Sequence, residues 1–325
     1  MFPNQNNKSS YRALCDENKN IPLFMQAWWM DAVCGDKKWD VLMYKKNDRI
    51  IAVWVYHFIK RFGINMILQP QLTQHNGIWI HYPENQSTCE RLSLEKKIIT
   101  KLEQSIKKVA KNVFSQNFSF NITNWQPFYW LGYNQTTRYT YKINNISNLD
   151  KVFNDFHSGK QKHILKAQSH LIVDFDIDPS EFFDFHVKSW KSKNEIVYYS
   201  KHFFINLYTK AKEHNQGKLI AIRDKQQNIH SALFTVWDTD TAYYLISAIE
   251  PNYRSSGASN LMIWEAIKFL SNKTRDFDFE GSMLEGVAKA NEEFGAKQIP
   301  YFMIYKINPI VDILIKSINI FKKRR

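Results

Sequence analysis

The chain is poor in the features that mark several large protein classes. Its three cysteines, Cys15, Cys34 and Cys89, are scattered, and no CxxC pair or Cys/His grouping at metal-ligand spacing occurs. An odd, dispersed set argues against a disulfide framework and against a zinc site, and it fits a reducing, cytoplasmic setting. The longest apolar run, Ile50 to Ile59, alternates like a strand and includes His57. It falls well short of the ~20 residues a spanning helix needs. The first residues, MFPNQNNKSS, hold no apolar signal core. The GxSxG elbow, HExxH, the P-loop and the dinucleotide fingerprint are all missing, so the chemistries those motifs carry have no support here.

What is present is length, charge and aromatic mass. At 325 residues the chain has room for two ordinary domains. Its net charge is +13, which suggests an anionic partner such as nucleic acid, a phosphate-bearing substrate or an acidic membrane surface. The plainer explanation is solubility alone. Aromatic residues make up 15% of the chain and imply large cores and, at some positions, aromatic-lined clefts.

The second half repeats the first in pattern. Residues 118–143 open with FSFN, carry an aromatic-Gly step at Trp130 to Gly132, and end on Tyr141–Ile143. Residues 277–307 open with FDFE, carry Phe294-Gly295, and end on Tyr305–Ile307. A spacing of about half the chain implies two copies of one domain. Each copy reads as helices, a hairpin, a central strand, a helix and two strands. In the first copy these are a helix from Phe24 to Cys34, a hairpin of Trp39–Tyr44 and Arg49–Ile59 around KKND, strands at Ile64–Leu68 and Gly77–Ile80, and a helix from Arg91 to Lys111. In the second they are helices at Glu181–Lys191 and Lys201–His214, a hairpin of Lys218–Arg223 and His230–Asp238, a strand at Thr241–Ala248, a helix from Ser256 to Leu270, and strands at Asp276–Glu280 and Tyr301–Ile307. The expected fold class is α/β with mixed sheets flanked by helices. The expected domains are 1–145 and 146–308, followed by a basic C-terminal helix, 309–325, whose KKRR end suits weak contact with a membrane surface.

The copies differ where chemistry would sit. Arg254, Ser255, Ser256, Gly257 and Ser259 lie between a strand and a helix. A turn that opens a helix presents unpaired N–H groups, and a glycine there lets backbone approach a phosphate. An ordinary serine N-cap is the alternative. The matching stretch of the first copy, HYPENQSTCERLSL, has no glycine, although Ser87 or Thr88 can cap its helix. Glu280 ends FDFE, where the first copy has Asn121, and a carboxylate at a strand end can take a proton from an amine. Glu250, ending the central strand, is its rival, and a salt-bridging role is open for both. Tyr301 and Tyr305 are candidates to protonate a leaving group, with strand core as the plainer reading. Lys160, Lys162, His163 and Lys166, with Lys151 nearby, form a basic segment in which Lys162 and Lys166 share a helix face suited to phosphates or to solvent. Thr73, Gln74 and His75, in the loop between two strands, are candidate acceptor contacts. Tyr199, with Trp190 and Tyr198, is either cleft lining or core.

These residues resemble a known family. The run from Tyr253 to Ser259 is similar to the Arg/Gln-x-x-Gly-x-Gly/Ala loop of GNAT-type N-acyltransferases, departing from it at Ser259. The duplication, the KQKHILKA segment, FDFEGS and EEFGAKQIPY resemble the Fem family of aminoacyl-tRNA-dependent peptidyltransferases and its acyltransferase relatives, which are built from two GNAT-like domains. The resemblance covers nearly the whole chain. It implies transfer of an acyl or aminoacyl group to an amine, with acyl-CoA or aminoacyl-tRNA as co-substrate and no tightly bound cofactor or metal. It further implies an acceptor drawn from small-molecule or nucleotide-linked precursors of the cell envelope or of a polysaccharide, and a donor site in the second copy. The missing glycine of the first copy implies that its donor site is degenerate and that it serves the acceptor or the fold. A non-catalytic binding protein on the same duplicated fold is the alternative.

Overall fold

The structure is a computed structural model and describes residues 5–313. In chain order the elements are α1 (Gln5–Glu17), α2 (Ala27–Cys34), β1 (Trp39–Lys46), β2 (Arg49–Arg61), β3 (Ile64–Leu68), β4 (Gly77–Ile80), α3 (Thr88–Val109), β5 (Val113–Asn117), α4 (Gln126–Trp130) and β6 (Asn134–Ile143). There follow α5 (Leu149–Asn154), α6 (Ser158–Gln168), β7 (Ile172–Asp174), α7 (Pro179–Lys191), α8 (Lys201–Glu213), β8 (Gly217–Arg223), β9 (Ile229–Trp237), β10 (Thr241–Ile249), α9 (Ala258–Leu270), β11 (Asp276–Asp278), α10 (Glu285–Glu292) and β12 (Lys297–Ile307). The architecture is α/β with mixed strand pairing. Most of the expected tail helix lies outside the described residues.

The chain forms two compact units. One runs to Arg138 and resumes at Pro300, and the other is Tyr139–Ile299. In the first unit β1 and β2 form the expected hairpin, with Asn47 and Asp48 both at positive φ, the backbone a two-residue turn between twisted strands requires. On β2 sit β3 and β4, and β3 pairs parallel with β5. The helix α3 covers this sheet. It starts on a capping box in which Ser87 Oγ accepts from the Glu90 N–H and Glu90 accepts from the Ser87 N–H at 2.8 Å. Its apolar stripe, Ile98, Ile99, Leu102 and Ile106, packs with Trp54, Phe114, Phe118 and Phe128.

In the second unit β7, β8, β9 and β10 form an antiparallel run, and β11 pairs parallel with β10. The helix α9 buries Leu261, Met262, Ala266, Ile267 and Leu270 in its core. N-caps set the two helices ahead of the sheet. Asp178 accepts from Ser180 N–H at 2.8 Å to start α7, and Ser200 accepts from Phe203 N–H at 3.1 Å to start α8.

The repeat survives, with an exchange. Residues 300–307 of β12, at the chain's end, pair antiparallel with β5 inside the first unit, Tyr305 opposite Ser115. The end of β6, from the first copy, pairs with β11 inside the second unit, Ile143 opposite Phe277. Each copy's last strand therefore completes the other's sheet. Neither the expected boundary at 145 nor the end at 308 allows for that exchange.

One strand is displaced from its expected place. FSFN is not a strand, because β5 ends at Asn117 and Ile122 N–H turns back to Ser119 O at 2.8 Å. Val113 and Asp276 occupy like positions, each pairing parallel with the central strand of its unit. Counting from them puts Asn117, rather than Asn121, at the place of Glu280.

Candidate active site

The central strand and its parallel neighbour diverge. Pairing between β10 and β11 covers Thr241, Ala242 and Tyr243 and stops at Asp278. From Tyr244 to Ile249 no described strand pairs with that edge of β10. On the other side β10 pairs with β9 across a bulge at Leu245. Unpaired edge N–H and C=O groups are a template for an extended amide-bearing ligand. The last residue of that edge is taken by α7. Ser189 Oγ on α7 accepts from Ile249 N–H at 3.2 Å and donates to Ile249 O at 2.9 Å.

At the divergence stands Glu280. Its backbone is at φ +60, a left-handed conformation that costs a non-glycine residue about 1 kcal/mol or more. Asp278 holds it there. Asp278 is fully buried, and its Oδ1 accepts from Glu280 N–H at 2.7 Å and from Thr140 Oγ1. The Glu280 residue is half-buried, and its Oε1 is buried with no hydrogen-bond partner among the described residues. Burial, reinforced by the negative Asp278, pushes its pKa well above the usual carboxylate range. Gly281 follows at φ +67, and a Cβ there would lie 2.7 Å from Thr140 Cα, so the chain leaves the strand through a position only glycine fits.

Glu250 is differently placed. It is buried at the end of β10, and its Oε2 meets Lys188 Nζ at 2.8 Å. Of the two acids, Glu280 has the unengaged oxygen. Asp278, Ser189 and Lys188 were not singled out in the sequence, although the i, i+2 spacing of Asp278 and Glu280 put both on one strand face.

The helix-opening loop is rigid. Residues Pro251–Ser256 form a 3-10 turn, Tyr253 stacks on His230 with centroids 3.8 Å apart, and Glu250 N–H donates to His230 O at 2.9 Å. Gly257 is at φ +78, and α9 starts after it, with Ala258 N–H donating to Ser256 Oγ at 3.2 Å. A Cβ on Gly257 would lie 2.7 Å from His163 O of α6. The glycine is thus demanded by helix packing, whatever ligand approaches. The same contact places the basic segment beside the loop. His163 Nδ1 and Asn260 Nδ2 are 3.2 Å apart, and Lys162, His163 and Lys166 are exposed, as are Arg254 and Ser255. Ser259 is half-buried on the first turn of α9. Lys160 turns away, paired with Glu293 at 3.3 Å and lying over the Phe294 ring.

Tyr199 belongs to an aromatic cluster. Its hydroxyl is 2.8 Å from His186 Nε2, and the two rings stack. Burial holds His186 neutral, with its pKa pulled down to about 4, and pushes the Tyr199 phenol up. Trp190 packs edge-on against His186, whereas Tyr198 is 80% exposed. In the first unit Thr73 and Gln74 are buried. Thr73 Oγ1 accepts from Trp29 Nε1 at 3.0 Å, and the Gln74 carbonyl accepts from Asn117 Nδ2 at 2.9 Å. His75 lies between the Phe24 and Phe120 rings. The structure packs these three residues into the first unit, where the sequence offered them as acceptor contacts. Tyr301 is buried, as strand core requires.

Comparison with known proteins bears on the fold. The family model for the GNAT acetyltransferase domain matches residues 165–292. The whole chain is similar to the crystal structure of FemX, with a TM-score of 0.70 and 14% identity over 97% of this chain and 98% of that one. It is similar to L-PGS from Bacillus licheniformis, at TM-score 0.55 and 10% identity over 99% and 98%. It is also similar to a tandem GNAT protein from the clavulanic acid biosynthesis pathway, at TM-score 0.51 and 8% identity over 94% and 97%. No curated protein matches by sequence. At these identities the structural likeness is one of fold, and the fold is the duplicated GNAT fold. No described helix is long and apolar enough to cross a membrane, and the described residues include no grouping able to hold a metal ion.

Proposed function

We propose, from the premise that this chain is a Fem-like protein of the GNAT acyltransferase fold, that it transfers an acyl or aminoacyl group to an amine. The acceptor class we propose is a cell-envelope or polysaccharide precursor, small or nucleotide-linked. The observation that carries the reading is the open edge of β10 beside the buried, unpartnered Oε1 of Glu280. The donor, acyl-CoA or an aminoacyl-tRNA, supplies an activated carbonyl. Its amide-bearing or backbone portion suits the edge groups from Tyr244 to Ala248, ahead of the Ser189 contact at Ile249. Its phosphates suit the start of α9 and the exposed Arg254, Lys162 and Lys166.

Glu280 is the proposed base. It takes a proton from the attacking amine as the C–N bond forms. The carbon–sulfur or carbon–oxygen bond to the donor then breaks, and the leaving group takes up a proton. A raised pKa makes the ionised Glu280 a stronger proton acceptor. In this reading backbone N–H groups of β10 receive the charge that develops on the carbonyl oxygen. Tyr199 lines the acceptor side in this reading.

The test is transfer from labelled acyl-CoA and, separately, from labelled aminoacyl-tRNA to a panel of amine acceptors, with wild-type and Glu280→Gln proteins. Transfer from one donor that falls about 100-fold in the variant supports the reading. Binding of acceptor with no transfer from either donor would leave a binding protein on the same fold.

A further inference from the structure

Three apolar side chains stand exposed where the chain moves on from Glu280. Met283, Leu284 and Val287 are 57%, 69% and 42% exposed. The segment that carries them is ordered by its own hydrogen bonds. Glu280 N–H donates to Asp278 Oδ1 at 2.7 Å, Leu284 N–H to Ser282 Oγ at 3.0 Å, and Val287 N–H to Leu284 O at 3.1 Å. Leu284, Val287, Ala288 and Asn291 are spaced to share one face of α10. The far end of that face enters the core. Asn291 is buried, Ala288 packs on the cluster that α9 joins, and Phe294, just beyond, stacks on Phe279 with centroids 5.7 Å apart. The near end, Leu284 and Val287 with Met283, runs past the core into solvent, on the side that joins Glu280.

The internal repeat supplies a contrast. The corresponding connection of the first unit, residues 118–125 between β5 and α4, also contains apolar residues, and none of them is exposed. Phe118 and Ile122 are buried, and Phe120 and Trp125 are half-buried. In the second unit Phe279 is buried in the same way, but Met283 and Leu284 turn outward. A lone exposed apolar side chain is ordinary, whereas a group of them on an ordered segment beside a site marks a ligand surface.

We propose that this surface holds the acyl chain of the donor, and that the donor is the thioester of a medium- or long-chain fatty acid. The inference rests on the acyl-transfer reading and narrows it. The occupant follows from position. The carbonyl carbon under attack carries two substituents, the leaving group and the acyl chain. The proposed leaving group takes the edge of β10 and the start of α9, which leaves the β11–α10 side for the chain. Met283 and Leu284 are three and four residues from Glu280, so their Cα atoms lie within about 14 Å of its Cα, a span that about ten carbons with ~1.5 Å bonds cover. The bonds made and broken are those given above: C–N forms, C–S breaks, Glu280 takes the amine proton and the thiolate takes up another.

The experiment measures kcat/KM of the full chain for acetyl-CoA, hexanoyl-CoA and decanoyl-CoA with one amine acceptor. Three proteins are compared: wild type, Met283→Ser/Leu284→Ser, and Phe62→Ser, which alters an exposed apolar residue of the first unit. In wild type and Phe62→Ser, kcat/KM should rise about tenfold or more from acetyl to decanoyl. In Met283→Ser/Leu284→Ser that ratio should fall toward one, with acetyl transfer unchanged. Transfer indifferent to chain length, or a preference that survives the double substitution, would overturn the inference and leave the acyl-transfer reading standing. Loss of the preference in Phe62→Ser as well would also overturn it. So would a raised acceptor KM in the double variant without chain-length dependence, which would give the patch to an apolar acceptor. Transfer from aminoacyl-tRNA alone would overturn the thioester donor, and transfer from no donor would overturn the reading with it. Melting curves confirm that each variant is folded.

Discussion

Gly257 lies where a single added carbon would sit 2.7 Å from the carbonyl oxygen of His163. The residue that looked made for a phosphate is required first by the crossing of α6 and α9. Gly257→Ala should therefore destabilise the protein with no ligand present. The left-handed backbone adds about 1 kcal/mol and the contact adds more. A drop of several degrees in the apo melting temperature is expected. A variant that melts like wild type yet loses transfer would return the glycine to the ligand.

Glu280→Gln separates catalysis from stability through pH. The folded-state pKa of Glu280 lies above its unfolded value. The native state thus holds the proton over a window in which the unfolded chain releases it. Stability attached to this group is present at acidic pH and falls as pH rises from the ordinary carboxylate range through the raised value. Gln cannot ionise, so the variant should gain stability relative to wild type at neutral pH and little at acidic pH. Urea unfolding across that range checks it, and a constant difference would show that the carboxylate is not buried. The same variant should lose the rising limb of the pH–rate profile.

His186 works in the opposite direction. Its folded pKa, about 4, is below the ordinary histidine value because burial disfavours the cation. As pH falls below about 6.5, the unfolded chain takes a proton that the native state refuses, and stability drops. His186→Gln should flatten that loss between neutral pH and about pH 4. Tyr199→Phe removes the partner 2.8 Å away and should cost about 1 kcal/mol at neutral pH. If Tyr199 also lines the acceptor side, KM for the amine rises in that variant.

Thr73→Val tests the loop between β3 and β4. Trp29 Nε1 would lose its acceptor in a buried setting, costing about 1–3 kcal/mol. The acceptor KM should stay unchanged. A raised KM with unaltered stability would restore the acceptor role first expected of this loop.

Arg254→Ala/Lys162→Ala/Lys166→Ala should fold normally, since all three side chains are exposed and form no ion pair among the described residues. Its KM for the donor should rise about tenfold or more while kcat holds, the signature of lost uniform binding. An unchanged KM would remove the phosphates from this face.

Local order was legible in the chain. KKND announced the β1–β2 turn, the Arg91–Lys111 periodicity announced α3, and the paired Tyr-Lys-Ile endings announced a duplication. Each is a short-range signal set by turn chemistry or side-chain period. FSFN misled, because alternation over four residues does not say whether a partner strand is there to accept it. Glu280 was visible as an acid at a strand end, but its meaning was not. Burial, the adjacent Asp278 and the missing partner are products of packing.

The sequence by itself determined the two-copy α/β order, the excess of positive charge and the acids and glycines open to catalysis, since these follow from composition and from contacts a few residues apart. Only the tertiary structure decided that the last strands of the copies change places, that Gly257 serves α6, and that Thr73 is packed against Trp29. Those outcomes depend on which distant residues meet, and a pattern read along one chain carries no record of that.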